Sequence, residues 1–419
     1  MTDPSHLIPE SPGFIPVPSK WRVFADFFGL KRSIIGLLGM CILIGMGEKM
    51  AERFLPIYLV ALGGGPILIA VLNALDNLLS ALYSFPGGWL ANRIGTRKSL
   101  LVFNLVAMLG FGIVLVFQAT WAVLAGAVLF ISWTALSLPA TMGLIAEVLP
   151  KSKRTMGVSV HSLIRRIPMA LGPILGGALV TQFGAIQGVR YAFCGALMMT
   201  ILSLIFQQVM ISEKPMKSEK SMTADEPAIH LSAALKKLLI ADILVRFCEQ
   251  IPYPFVVLWC MNIHGINGIE FGILTTVEMI TAILIYIPVA FLADRGVKKP
   301  FVVATFCFFT LFPVTLWFSR SFWPLVLAFI VRGLKEFGEP TRKALILDLA
   351  PPGREAAAFG VYYLYRDIFV TAGALLGGFL WQISPATNLF VAFVFGMMGT
   401  VWFALVGTDP LPDAHSIKT

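Results

Sequence analysis

At 419 residues, 57% hydrophobic and 13% charged, with a mean hydropathy of +0.83, the chain lies outside the soluble range of about half apolar and about a quarter charged residues. Its formal charge of +9 is concentrated in alternate short loops, the pattern of membrane topology, which excludes nucleic acid as the partner. The five cysteines fall in apolar stretches without metal-like spacing, so no disulfide framework, metal or other cofactor is expected.

Residues 1–32 form a polar, Pro-rich segment without the apolar core and small-residue cleavage site of a leader peptide. Within it, Lys20 to Leu30 mixes aromatics with cations, as an interfacial helix on the cytoplasmic leaflet would; an ordered lead-in with no role of its own reads equally well. Apolar stretches long enough to cross the bilayer, about 20 residues each, then follow at roughly 33–61, 66–91, 99–118, 122–149, 156–183, 191–212, 235–263, 270–293, 300–319, 323–349, 356–383 and 388–407. The expectation is an all-α membrane protein of twelve transmembrane helices.

Span one ends in Glu48-Lys49-Met50-Ala51-Glu52-Arg53 ahead of Pro56. Glu48 and Glu52, four residues apart, share a helix face, and Lys49 and Arg53 share another. Span two carries Asp76 between Asn73 and Asn77 and ends in the basic turn Gly88-Trp89-Leu90-Ala91-Asn92-Arg93-Ile94-Gly95-Thr96-Arg97-Lys98. Span four ends in Glu147-Val148-Leu149-Pro150 with Arg154 beyond, and span five holds Arg165-Arg166 and Gly172-Pro173-Ile174-Leu175-Gly176-Gly177. Residues 213–234, rich in Lys and Ser, read as a flexible cytoplasmic linker between a bundle over 33–212 and a second over 235–407, with a tail at 408–419.

The second bundle repeats the first at an offset of about 201: Glu249 answers Glu48, Pro340 answers Pro139, Asp348 answers Glu147, Arg366 answers Arg165, and Gly373, Gly377 and Gly378 answer Gly172, Gly176 and Gly177. At 202, Glu278 answers Asp76, and Asp294 and Arg295 answer Asn92 and Arg93 of the turn after span two; with one residue deleted there, Gly296 answers Gly95. Six spans per copy give the copies one orientation, two six-helix bundles related by a pseudo-twofold axis along the membrane normal. Lys and Arg gather at one set of loops and are nearly absent from the other, which places both termini in the cytoplasm.

Ionisable groups within a span cost at least about 2.5–3.5 kcal/mol each and mark function by default. The substrate and proton-coupling candidates are Glu48, Glu52, Asp76, Glu249, Glu278, Arg332, Lys335, Glu336 and Glu339. A carboxyl group withdrawn from water can exchange a proton near neutrality, as coupling requires; the same acids can instead pair with cations as structure. In span ten, i,i+4 pairs of Arg332 with Glu336, Lys335 with Glu339 and Glu339 with Lys343 would let the helix neutralise much of itself, with Arg342 and Lys343 reaching the interface. The aromatics of span nine, Phe306, Phe308, Phe309, Phe312, Trp317 and Phe318, read as packing or lipid-facing groups.

The turn after span two resembles the signature loop of the major facilitator superfamily, and the acid-Pro motifs at the ends of spans four and ten are similar to a further signature of that family. The glycines of span five resemble the end of a motif associated with antiporters, which points to its drug and metabolite proton antiporter branch. The resemblance covers nearly the whole chain. It implies that spans one, four, seven and ten line a central cavity and that Gly88, Asn92, Arg93, Gly95, Arg97, Asp294, Arg295 and Gly296 form gating latches. Asn92 stands where the family has an acid, so the first latch should be the weaker. Gly172, Pro173, Gly176 and Gly177 would let span five bend, although close packing accounts for the same glycines.

The function expected is secondary active transport by alternating access of a small polar, zwitterionic or amphipathic solute, proton-coupled and outward, by a monomer in a bacterial inner membrane. Uniport, or lipid-type or siderophore transport without proton coupling, is the alternative; a non-transporting sensor or scaffold is another. No nucleophile with its base, HExxH pattern or phosphate loop points to an enzyme.

Overall fold

A computed structural model describes residues 32–130, 133, 137, 141, 144, 161, 164–211, 231–293, 297–351 and 355–408. The described residues are helical throughout, without strands. In chain order the helices are α1 (Arg32–Glu52), α2 (Leu55–Ala61), α3 (Pro66–Ile94), α4 (Thr96–Val116), α5 (Thr120–Phe130), α6 (Arg166–Met210), α7 (Ala233–Gln250), α8 (Gly268–Ala293), α9 (Lys299–Phe318), α10 (Phe322–Leu334), α11 (Glu339–Asp348), α12 (Glu355–Ile383) and α13 (Pro385–Val406). Short 3-10, α and π turns carry the chain from Tyr253 to Ile263. Among the described residues, seven helical stretches are long and apolar enough to cross a membrane.

One of these, α6, has 45 residues, roughly twice what a crossing needs. It turns back at Gly184, whose φ of 78° and ψ of 173° are not helical and suit only a residue without Cβ. Spans five and six of the sequence are therefore two helices meeting at Gly184, and Gly172-Pro173 lies in uninterrupted helix.

α6 packs on α1 and on α8, α3 on α12, and α7 on α12 and α13, so each half touches the other through two helices. The packing repeats with the sequence offset. A Cβ on Gly176 would strike the carbonyl oxygen of Met50, and one on Gly377 that of Ile251; the next glycines cross between halves, Gly177 against Gly268 and Gly378 against Pro66 and Ile67. Each of these four contacts has its partner 201 residues away, and backbones approach this closely only where side chains are absent.

One large core joins the two halves at the end where α2 and the Phe255–Cys260 stretch meet, through Phe54, Ile57, Phe255, Trp259 and Phe271. The opposite end of the second half has its own core, built on Leu235, Leu238, Leu345, Ile346 and Tyr362.

Candidate functional site

Three spans break partway along. In the first, the helix tightens at Phe54, whose N–H reaches back to Ala51 O at 3.0 Å, because Pro56 has no N–H to return to the previous turn. In span seven, Pro252 and Pro254 produce a 3-10 turn over Tyr253–Phe255, with Phe255 N–H donating to Pro252 O at 2.8 Å. In span ten, Lys335, Glu336, Phe337 and Glu339 each donate three residues back, ahead of Pro340 at the start of α11. Broken helices in the middle of a membrane protein persist where they line a cavity, since lipid cannot satisfy the freed backbone.

A cavity of about 560 Å³, its mouth included, lies at the breaks of spans one and seven. Glu52, Arg53, Asn73 and Asp76 face it from the first half and Tyr253, Phe271 and Arg332 from the second. Arg53 donates to the Tyr253 hydroxyl at 2.9 Å, and the guanidinium carbons of Arg53 and Arg332 each lie 5.4 Å from the centre of the Tyr253 ring, within cation–π range. Asn73 and Asn77 both donate to the Gln250 side chain, at 3.1 and 3.3 Å. A second cavity of about 300 Å³, inside the first half, is lined by Cys41, Glu48, Lys49, Trp133 and Arg165. The Glu48–Arg53 segment therefore faces two cavities.

Around them runs a chain of ion pairs. Lys49 binds both Glu48, at 3.1 Å, and Glu52. Glu278 is paired with Arg332 and with Lys335, each at 3.3 Å; Lys335 also holds Glu249 at 2.9 Å. Glu249 takes Arg246 at 2.6 Å, Arg246 reaches Glu339 at 3.4 Å, and Glu339 takes Arg342 at 2.7 Å. Arg342 ends the chain on Asp242, to which Tyr362 also donates at 2.9 Å. Across the halves, Arg166 meets Glu336 at 3.3 Å.

Two expectations for span ten are corrected. Arg332 pairs with Glu278 rather than Glu336, and Lys335 with Glu249 and Glu278 rather than Glu339; i,i+4 neighbours share a face only on a continuous helix, and this one is broken between Leu334 and Glu339. Arg342 does not reach the interface: it is 1% exposed, bound to Asp242 and Glu339. The pair of Glu339 with Lys343 does form, at 3.5 Å. In span nine, Phe306, Phe309 and Phe312 are buried and Phe318 is exposed, with Phe312 beneath the Arg332 guanidinium.

Of the latch residues, Gly95 caps α4 with a φ of 86°, the left-handed geometry that keeps a glycine there. Arg97 donates to the Gln208 side chain at 2.9 Å and to its carbonyl at 2.7 Å, so it secures the end of α6 in its own half. Arg93 lies over the Trp89 ring at 5.0 Å. Gly88 and Asn92 are described only as part of the backbone of α3, while Asp294, Arg295 and Gly296 lie outside the described residues, as do the interfacial segment before Arg32, Glu147 to Pro150 and Arg154. Tyr253 is a site residue that charge and spacing do not single out; its signal in the sequence is Pro252-Tyr253-Pro254, two prolines inside an apolar stretch.

The family model described as Major Facilitator Superfamily matches residues 37–248 and 238–418. The chain is 24% identical over 403 residues to the inner membrane transport protein YajR of Escherichia coli strain K12, covering 92% of this chain and 84% of that one. It is 25% identical over 366 residues to the multidrug resistance protein MdtG of Serratia proteamaculans strain 568, covering 83% and 86%. Among solved structures, that of a mutant of the nucleoside transporter NupG superposes with a TM-score of 0.77 at 12% identity, covering 89% of this chain and 99% of that one.

Proposed function

The chain belongs to the Major Facilitator Superfamily and is an integral-membrane secondary transporter rather than an enzyme; from that premise we propose that it couples the outward movement of a small polar, zwitterionic or amphipathic solute to inward protons. The observation that carries the coupling is the sharing of one lysine, Lys49, by two carboxylates, Glu48 and Glu52. Two buried acids on one cation leave a negative charge short of a direct counter-ion, and a proton is the smallest group that supplies it. Because Glu48 lines the inner cavity of the first half and Glu52 the cavity between halves, a proton passing between them moves from one cavity to the other. Export follows the multidrug resistance relatives, and the bacterial inner membrane, cytoplasmic termini and a working monomer complete the reading.

Reconstitution in liposomes with an internal pH dye and a panel of polar metabolites tests it. Solute-dependent proton movement is expected. Glu48→Gln and Glu52→Gln should each abolish uphill transport while leaving solute exchange measurable; unchanged uphill transport in both removes these acids from coupling. Uniport is the second reading, favoured by the ion pairs that occupy Glu249, Glu278 and Glu339, and it requires solute movement without protons.

A further inference from the structure

Resting on the transport reading above, we propose that the cavity between the halves takes a zwitterion with an apolar body, its anionic group held by Arg53 and its cationic group by Asp76. Four charged side chains face this cavity. Two already have ion-pair partners: Arg332 in Glu278, and Glu52 in Lys49, which it shares with Glu48. The other two, Arg53 and Asp76, have no ion-pair partner among the described residues and do not pair with each other. Arg53 spends its contacts on the Tyr253 hydroxyl and ring, and its buried Nε has no acceptor; Asp76 has the hydroxyl of Ser80, one turn along its own helix.

Glu278 and Glu52 act on Arg53, and Lys49 on Asp76, only at longer range; a guanidinium and a carboxylate withdrawn from bulk water without a direct ion-pair partner are each unfavourable. A solute with both charges relieves both, whereas an amine or an acid alone relieves one and leaves the other. Leu55, Pro56, Ile69, Leu72, Val256 and Phe271 supply the apolar wall between them.

The internal repeat explains why Asp76 is left over. Its counterpart Glu278 is neutralised by Arg332 and Lys335 of span ten. At the positions 201 residues earlier, span four carries Ile131 and Thr134. Likewise Arg53 stands where the second half has Pro254. Both unmatched charges thus arise where the copies differ, which a shared scaffold charge would not do.

The test compares three probes with one phenyl body: L-phenylalanine, phenethylamine and hydrocinnamate, titrated into the purified full chain in nanodiscs. L-Phenylalanine should bind at least about tenfold more tightly than either of the others, a difference of about 1.4 kcal/mol or more. Arg53→Gln should erase its advantage over phenethylamine, and Asp76→Asn its advantage over hydrocinnamate. The wild-type ranking needs no variant and stands even if one fails to fold. Equal binding of phenethylamine or hydrocinnamate, or binding of none of the three, overturns the proposal. If a lipophilic cation such as ethidium nevertheless moves with proton exchange in proteoliposomes, the proton-coupled reading stands and the zwitterion falls; if no solute moves protons, the proton-coupled reading itself falls.

Discussion

Arg342 shows how differently one charge reads in sequence and in space. Near the end of an apolar stretch it looks like an interfacial anchor, yet it is enclosed by Asp242, Glu339 and the two tyrosines Tyr362 and Tyr363. Removing one partner of a buried pair leaves the others uncompensated, at about 3–5 kcal/mol. Arg342→Met should therefore lower the thermal unfolding temperature in detergent sharply, and the double variant Arg342→Met with Asp242→Asn should recover part of the loss. A single variant as stable as the parent would mean that water reaches the cluster. The charges themselves are legible in the sequence, because any ionisable group in an apolar run stands out; their partners are not, because pairing across helices depends on rotation and depth that no local spacing encodes. Lys335, which bridges Glu249 and Glu278 from two other helices, is the plainest case.

At the level of elements, the prolines at 56, 254 and 340 locate the breaks in spans one, seven and ten. Taken as a continuous helix, span ten gives the wrong partners to Arg332 and Lys335. Pro56 and Pro340 are visible as residues, but a proline near a helix end and one that opens a helix beside a cavity look alike until the depth of the span is known. The repeat is more legible than the breaks, since a constant offset survives divergence, and the glycines that carry it recur in the same packing positions. Pro56→Ala restores the N–H that span one lacks. It should raise stability by roughly 1 kcal/mol for the regained hydrogen bond and slow transport, read as a higher unfolding temperature with a lower initial rate of solute uptake. An unchanged rate would show that the break is not needed for the cycle.

For the molecule as a whole, alternating access requires the contacts between halves to separate at one end and then the other. Thr181 accepts a hydrogen bond from Ile269 N–H at 3.2 Å, beside the approach of Gly177 to Gly268, and this seam must part whenever the cavity opens on that side. In a background without the five native cysteines, which are all unpaired, a disulfide between Thr181→Cys and Ile269→Cys should stop transport, and reduction should restore it. Transport that persists through full oxidation would place the moving boundary elsewhere.

The glycine pairs have a consequence for how such a protein changes its cargo over time. Where the two halves agree, at Gly176 with Gly377 and Gly177 with Gly378, a substitution is felt by the moving frame; where they disagree, as at Arg53 against Pro254, both of which line the cavity, it is felt by whatever occupies it. Duplication thus divided the chain into a common hinge and a free lock. A new specificity can be acquired by editing a handful of unequal positions without disturbing the swing of the door.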